Sequence, residues 1–179
     1  MLIKSLKYCD IETERLYLKV LTLEHTEEVF QLFSDEDITR YMDIEPCKSL
    51  TEAEEIITYH LEDTGCRWGI FTKEKEEFIG TCGFHYIRNH NEFIGEVGFD
   101  LSKGHWGNGF MSEAMKSLLE YGFNAMSLET IDATVDPRNE KSIALINRLG
   151  FKRDAVLREN LIYFYLTKGD WTQNQNNPY

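Results

Sequence analysis

Basic residues are scarce in this chain of 179: 19 Lys and Arg stand against 31 Asp and Glu, a formal net charge of −12. That deficit argues against nucleic acid or an anionic membrane as the main partner, because both need a basic footprint. Cysteines are few and scattered. Cys9, Cys47, Cys66 and Cys82 form no C-x-x-C pair and read as small apolar residues in a reducing, cytoplasmic setting. The longest apolar run, residues 161–166, falls far short of a membrane span. Met1-Leu2-Ile3-Lys4 lacks an apolar h-region, so no signal peptide is expected. No internal repeat is present. No G-x-S-x-G or Cys/His/Asn arrangement supports a nucleophilic hydrolase. His85 and His90 lie five apart, but nothing supplies a third or fourth ligand, so no metal is expected.

What remains is a globular composition, 42% hydrophobic and 13% aromatic, of one-domain length. The reading is a single domain over residues 1–171 and a flexible polar tail over 172–179. Loose alternation predicts a strand at 13–21. Helical spacing follows through Val29, Leu32 and Phe33, with Thr22 or Thr26 as cap, and then a short turn at 38–42. Ser49 or Thr51 caps a second, acidic helix carrying Ala53, Ile56, Ile57 and Leu61. Strands are predicted at 67–72, 78–87 and 93–101, joined by polar connections of hairpin length. Helical spacing resumes over 110–126 through Met111, Met115, Leu118 and Leu119. A strand at 129–135 leads into a helix carrying Ile143, Ile146 and Leu149, with Gly150 as its left-handed terminator. Strands at 151–157 and 161–167 complete the set. Trp68, Phe71, Phe84 and Tyr86 read as core. The class is α+β, or mixed α/β.

Charge is segregated. Residues 23–63 hold thirteen acidic side chains against Arg40 and Lys48, about −11 of the total. Residues 137–153 hold five basic side chains against Glu140, about +4. Two poles allow an anionic and a cationic ligand to approach different sides. Between them lies His105-Trp106-Gly107-Asn108-Gly109-Phe110-Met111-Ser112, a glycine-rich link from strand to amphipathic helix. Unpartnered first-turn amides and the helix dipole favour a phosphate or pyrophosphate there. No Gly-Lys-Ser/Thr closes it as a Walker loop, and the glycine spacing is not that of a Rossmann fingerprint. On the preceding strand, Phe93, Val97, Phe99 and Leu101 take one face and Glu96, Gly98 and Asp100 the other.

Strand, W-G-N-G-F-M, helix, strand, then D-P-R-N-E-K-S at one helix start and R-L-G-F at its end, resembles the Gcn5-related N-acetyltransferase (GNAT) family. The likeness is greatest to the RimJ/RimL-type branch of ribosomal-protein alanine acetyltransferases. The resemblance runs over roughly residues 13–171 and implies a central, mostly antiparallel sheet of six to seven strands flanked by about four helices. It implies acetyl-coenzyme A as co-substrate. The family's pyrophosphate loop falls on Trp106, Gly107, Asn108, Gly109, Phe110 and Met111, with Trp106 where Gln or Arg is usual. Met111 departs from the family's Gly/Ala. Backbone amides of Gly107, Gly109, Met111 and Ser112 are the implied donors, and Phe99 and Leu101 the implied main-chain partners of the pantetheine arm. Asn139 matches the Asn that contacts the arm, with Ser142 three residues on, and Arg148 or Lys152 is placed for the 3′-phosphate. His105 either contacts a phosphate or faces water.

In this family an amine attacks the thioester directly in a ternary complex. Glu96 is the implied base, acting through water; the alternative is a plain ion pair with a neighbouring Lys or Arg. The family's Tyr acid, seven residues after the Asn, is replaced by Ile146, which leaves Ser142 as acid or merely as a first-turn capping residue. A thiol with pKa of about 8.5 leaves readily without a donor. The acidic pole implies a cationic acceptor, a basic peptide N-terminus, a polyamine or an aminoglycoside-like amine; the branch suggests the first and is compatible with a homodimer. Two rival readings stand beside this: a catalytically weak coenzyme A-binding sensor or interaction domain, and a nucleotide-phosphate protein using the same loop.

Overall fold

The computed structural model describes residues 8–89 and 91–176. His90, the second member of the spaced histidine pair, and residues 177–179 of the expected tail lie outside the described residues.

The chain enters as two short strands, β1 (Ile11–Glu12) and β2 (Leu16–Val20), where the sequence predicts one. Thr13 divides them, its hydroxyl held by the Leu16 carbonyl and the Glu113 carboxylate. Thr22 caps a 3-10 turn at Leu23–His25, and α1 (Thr26–Phe33) follows. The four-residue α2 (Glu36–Thr39) is capped by Asp35. The Ser49 hydroxyl accepts the Glu52 amide to start α3 (Leu50–Glu62). β3 (Cys66–Thr72), β4 (Phe78–Asn89) and β5 (Phe93–Leu101) form an antiparallel meander. α4 (Phe110–Asn124) then carries the chain over one face to β6 (Thr130–Val135), which runs parallel to β5, as a crossover connection requires. α5 (Glu140–Arg148), β7 (Lys152–Arg153), β8 (Ile162–Thr167) and α6 (Lys168–Asn176) complete the described chain.

Eight strands form one sheet in the order β1-β2-β3-β4-β5-β6-β8-β7, with β5–β6 its parallel pair. This is the expected mixed α+β fold. The counts exceed expectation, eight strands and six helices among the described residues, because the single strand predicted at 13–21 becomes β1 and β2 and because α2 and α6 form where a short turn and a polar tail were expected. The segment 151–157 pairs only at Lys152–Arg153. The tail also differs: residues 172–176 continue α6, whose Trp171 stacks on Phe123.

Alternation sorts the sheet into two faces. Trp68, Cys82, Phe84, Val97, Ile131, Ala133 and Phe164 point to one, where α4 lays Met111, Ala114, Met115, Leu118, Leu119 and Phe123 against them at helical spacing. Trp68 and Phe84 are fully buried, each contributing roughly 2–3 kcal/mol through burial. The other face is covered at one end by α1 and α3 through Val29, Leu32, Phe33, Ala53 and Ile57. Beyond that cover, the polar side chains of β3 to β6 are left to line a cleft.

Candidate active site

The cleft begins where two strands part. β5 and β6 pair through Ile94–Thr130, Gly95–Ile131 and Glu96–Asp132. β5 continues to Leu101 and β6 to Val135 without further pairing between them. The Ser102 amide donates to the Ile79 carbonyl across the β4 edge. Alternation therefore turns the main-chain groups of Gly98 and Asp100 toward β4 and those of Val97, Phe99 and Leu101 toward the opening. Of these outward-facing groups, the Leu101 carbonyl accepts the Trp106 indole N–H at 2.7 Å.

A 3-10 turn at Lys103–His105 leads from β5 into the glycine loop. Gly107 and Gly109 have φ of 76° and 78°, left-handed values that other L-residues adopt at a cost. Gly109 is the cap of α4. Among the described residues, the amides of 107–112 find no acceptor within the protein, which leaves a concave row of N–H groups at a helix start, suited to a pyrophosphate. Met111, the departure from the family's small residue, turns its side chain into the core and is 7% exposed, so it does not obstruct the loop. Asn108 ties the loop to itself, its amide donating to the carbonyls of His105 and Trp106. His105 hydrogen-bonds Ser102 through Nδ1, and its Nε2 lies 3.5 Å from Glu77.

Two residues absent from the sequence expectations brace this loop. Arg15 donates to the Asn108 carbonyl at 3.0 Å and to Glu113 at 2.7 Å, and its guanidinium lies 4.5 Å from the Phe110 ring centroid. Lys141 places Nζ 3.4 Å from the centroid of the Trp106 ring. Neither was recoverable from spacing, since each reaches the loop from another element.

Asn139 caps α5, its side-chain oxygen accepting the Ser142 amide at 3.2 Å. Ser142 is therefore the capped residue rather than the cap, and both line the cleft. Ile146 is fully buried, so no phenol takes that place. Arg148 stands exposed at the far end of α5, about 13 Å along the helix from Asn139. Lys152 is bonded to Asp170 at 2.8 Å.

The cleft widens into a cavity of about 890 Å³ whose solvent-facing mouth carries Asp43, Glu45, Glu52 and Glu55 against Lys48. At its floor the Glu96 carboxylate accepts the Thr134 hydroxyl at 2.7 Å and lies 3.9 Å from His85 Nε2. Burial raises its pKa, the Thr134 bond opposing that rise in part. No Lys or Arg pairs with it among the described residues; the partners are a hydroxyl and an imidazole. Two histidines line the same floor, held neutral chiefly by burial and then by the charge of Arg67: His60 is pushed down to about 3 and His85 to about 4. Tyr86 corrects its placement in the core. It lies within the β4 register shift between His85 and Arg88, has φ of 48°, is 54% exposed and lines the cavity. Trp68, Phe71 and Phe84 are buried as expected.

A family model described as an acetyltransferase (GNAT) domain matches residues 15–152. The chain is 41% identical over 151 residues to the uncharacterized N-acetyltransferase p20 of Bacillus licheniformis, covering 82% of this chain and 84% of that one. It is 24% identical over 123 residues to the [ribosomal protein uS5]-alanine N-acetyltransferase of Escherichia coli strain K12, covering 64% and 63%. Spermidine N-acetyltransferase from Vibrio cholerae, solved with CoA and spermine, superposes with a TM-score of 0.78 at 22% identity over 88% of this chain and 98% of that one. Parted strands, bare loop amides and a family match over most of the sequence agree: the chain belongs to the GNAT acetyltransferases, enzymes that use acetyl-coenzyme A.

Proposed function

We propose that this enzyme acetylates a primary amine on a cationic acceptor, a polyamine or a basic peptide N-terminus. The observation that carries the reading is the unpaired edge of β5, which starts beside Glu96 in the cavity and leads to the loop with the bare amides. The acidic mouth opens on the same cavity. The residues present fit coenzyme A: the amides of 107–112 would hold the pyrophosphate, and the main chain of Val97, Phe99 and Leu101 the arm. Bound there, acetyl-coenzyme A supplies an activated acyl group. Asp43, Glu45, Glu52 and Glu55 draw a cation toward the floor, and Glu96 accepts the proton that the attacking nitrogen loses. Ser142 faces the same space, as a polar group for the departing sulfur.

The acceptor class has support from two sides. The mouth is acidic, and relatives are named for spermidine and for a ribosomal-protein alanine. Its volume is within the range of small-molecule sites. Thiol release from acetyl-coenzyme A across cationic, neutral and anionic amines tests the proposal. Cationic amines are expected to turn over at least tenfold more efficiently. Equal turnover of all classes would overturn the electrostatic part, and none with any amine would favour a binding domain without catalysis.

A further inference from the structure

Arg67 originates on β3, two strands away from the opening, yet its side chain reaches the cleft floor. Register explains how. Arg67 pairs with Gly83 on β4, and Gly83 pairs with Gly98 on β5. A Cβ on Gly83 would stand 3.1 Å from Arg67 Cδ, and one on Gly98 2.9 Å from its Nη1. The two glycines thus clear a track along which the side chain runs, only 7% exposed. Nε and Nη2 donate to the Thr81 hydroxyl at 3.0 and 2.8 Å, and Nη2 also pairs with Asp100. Burial raises the Asp100 carboxyl, and Arg67 and Thr81 oppose that without cancelling it. Nη1 is left over Gly98, where His85 Cε1 also comes within 2.9 Å of the same Cβ position. Gly98 lies two residues beyond Glu96, where β5 has already left β6.

An amine attacks only through a free lone pair, and an acidic mouth alone would keep it protonated. We propose that Arg67 is the fixed positive charge on the cleft floor that holds the acceptor's reacting nitrogen in its neutral, nucleophilic form. The inference rests on the transferase reading above. An N–H bond of the ammonium breaks and an O–H bond forms on Glu96. Glu96 passes that proton to solvent, and the freed lone pair makes the N–C bond while the C–S electron pair leaves with sulfur. The nitrogen, now positively charged, loses its second proton to the departing thiolate, which leaves as the thiol. The groups around this point are His85 and Thr81 from β4, Glu96 and Asp100 from β5, Thr134 and Asp132 from β6 and His60 from α3, with Asp132 and Arg88 also acting on Glu96. Asp43, Asp63 and Arg88 act on His85 from farther out. His60 and His85 register the same field, since Arg67 lowers both.

The double variant Arg67→Met/Asp100→Asn removes both charges without stranding one, and Arg67→Lys keeps the positive charge. Two readouts on the full chain decide the matter: NMR titration of the His85 imidazole in free protein, and the pH profile of kcat with spermidine, which reports groups in the bound complex. In the double variant the loss of the Asp100 charge offsets part of the loss of Arg67, and both are expected to move up by about half a pH unit, so that kcat on the acidic side falls about threefold. Arg67→Lys is expected to leave both in place, and the affinity for coenzyme A is expected to stay within about twofold in each variant. Should the double variant not fold, Arg67→Gln, whose amide still donates toward Thr81 and Asp100, replaces it, with the same direction of shift expected. A folded, active variant with an unmoved kcat limb overturns the inference while leaving the transferase reading intact. A wild-type protein inert toward every amine overturns both.

Discussion

Three glycines stand in or beside the loop after β5, and only two of them need to be glycine. Gly107 and Gly109 have φ of 76° and 78°, whereas Gly104 has no such value. Added Cβ atoms meet nothing within 4 Å at Gly104 or Gly107, and at Gly109 only Arg15 Nη2 at an ordinary 3.5 Å. Steric clash is therefore removed from the comparison, and backbone conformation alone distinguishes the sites. Alanine in the left-handed region costs about 1–2 kcal/mol. For a chain of this length that lowers Tm by roughly 2–8 °C. Differential scanning calorimetry of Gly104→Ala, Gly107→Ala and Gly109→Ala should therefore give one silent variant and two destabilised ones. Isothermal titration with coenzyme A adds a second axis. If the strained loop relaxes, its amides turn away and affinity falls with stability recovered; if it holds, stability falls and affinity is kept. A Gly104→Ala variant as damaged as the other two, or Gly107→Ala with neither loss, would refute the reasoning.

Glu96→Gln should lower kcat by about 10²–10⁴. It should also leave thermal stability equal or higher at neutral pH, since burial raises the native carboxyl and its ionised form opposes folding there; calorimetry and thiol release separate the two effects. His85 has a native pKa of about 4. Unfolded chains therefore take up a proton that the native state refuses, and stability is lost as pH falls from about 6.5 toward 4. Urea unfolding should show wild type losing about 3 kcal/mol more than His85→Gln between pH 7 and pH 4, and parallel curves would contradict this. Gly83→Ala places a Cβ 2.3 Å from the Cys66 carbonyl oxygen and 2.8 Å from Arg67 Cα, both backbone. It should destabilise by about 2–3 kcal/mol in chemical denaturation, and a neutral result would dispute the close packing of β3 on β4.

Features carried by one stretch of chain were legible in the sequence. The two-sided pattern of Phe93–Leu101, the capping of α3 by Ser49, the stripe on α4 and the left-handed Gly150 all depend on near neighbours. The bare amides of the loop were legible too, since they follow one another along the chain at the start of a helix. Features that depend on register across strands were not legible. Arg67 reads as an ordinary charge in a strand until Gly83 and Gly98 are aligned beside it. Tyr86 reads as core because the β4 register shift that re-aims it has no signature of its own. Arg15 and Lys141 approach the loop from β2's border and from α5, and their contacts are long-range. The polar segment 172–176 gains helical order from the packing of Trp171, which composition cannot register.

The most direct measurement is a titration of isotope-labelled protein with coenzyme A, followed through backbone amide signals. The largest shifts are expected at residues 107–112 and along 97–101, saturating together as a single site. Signals there that stay unmoved at millimolar coenzyme A, while the protein remains folded, would contradict the assignment of this loop and strand edge as the cofactor site.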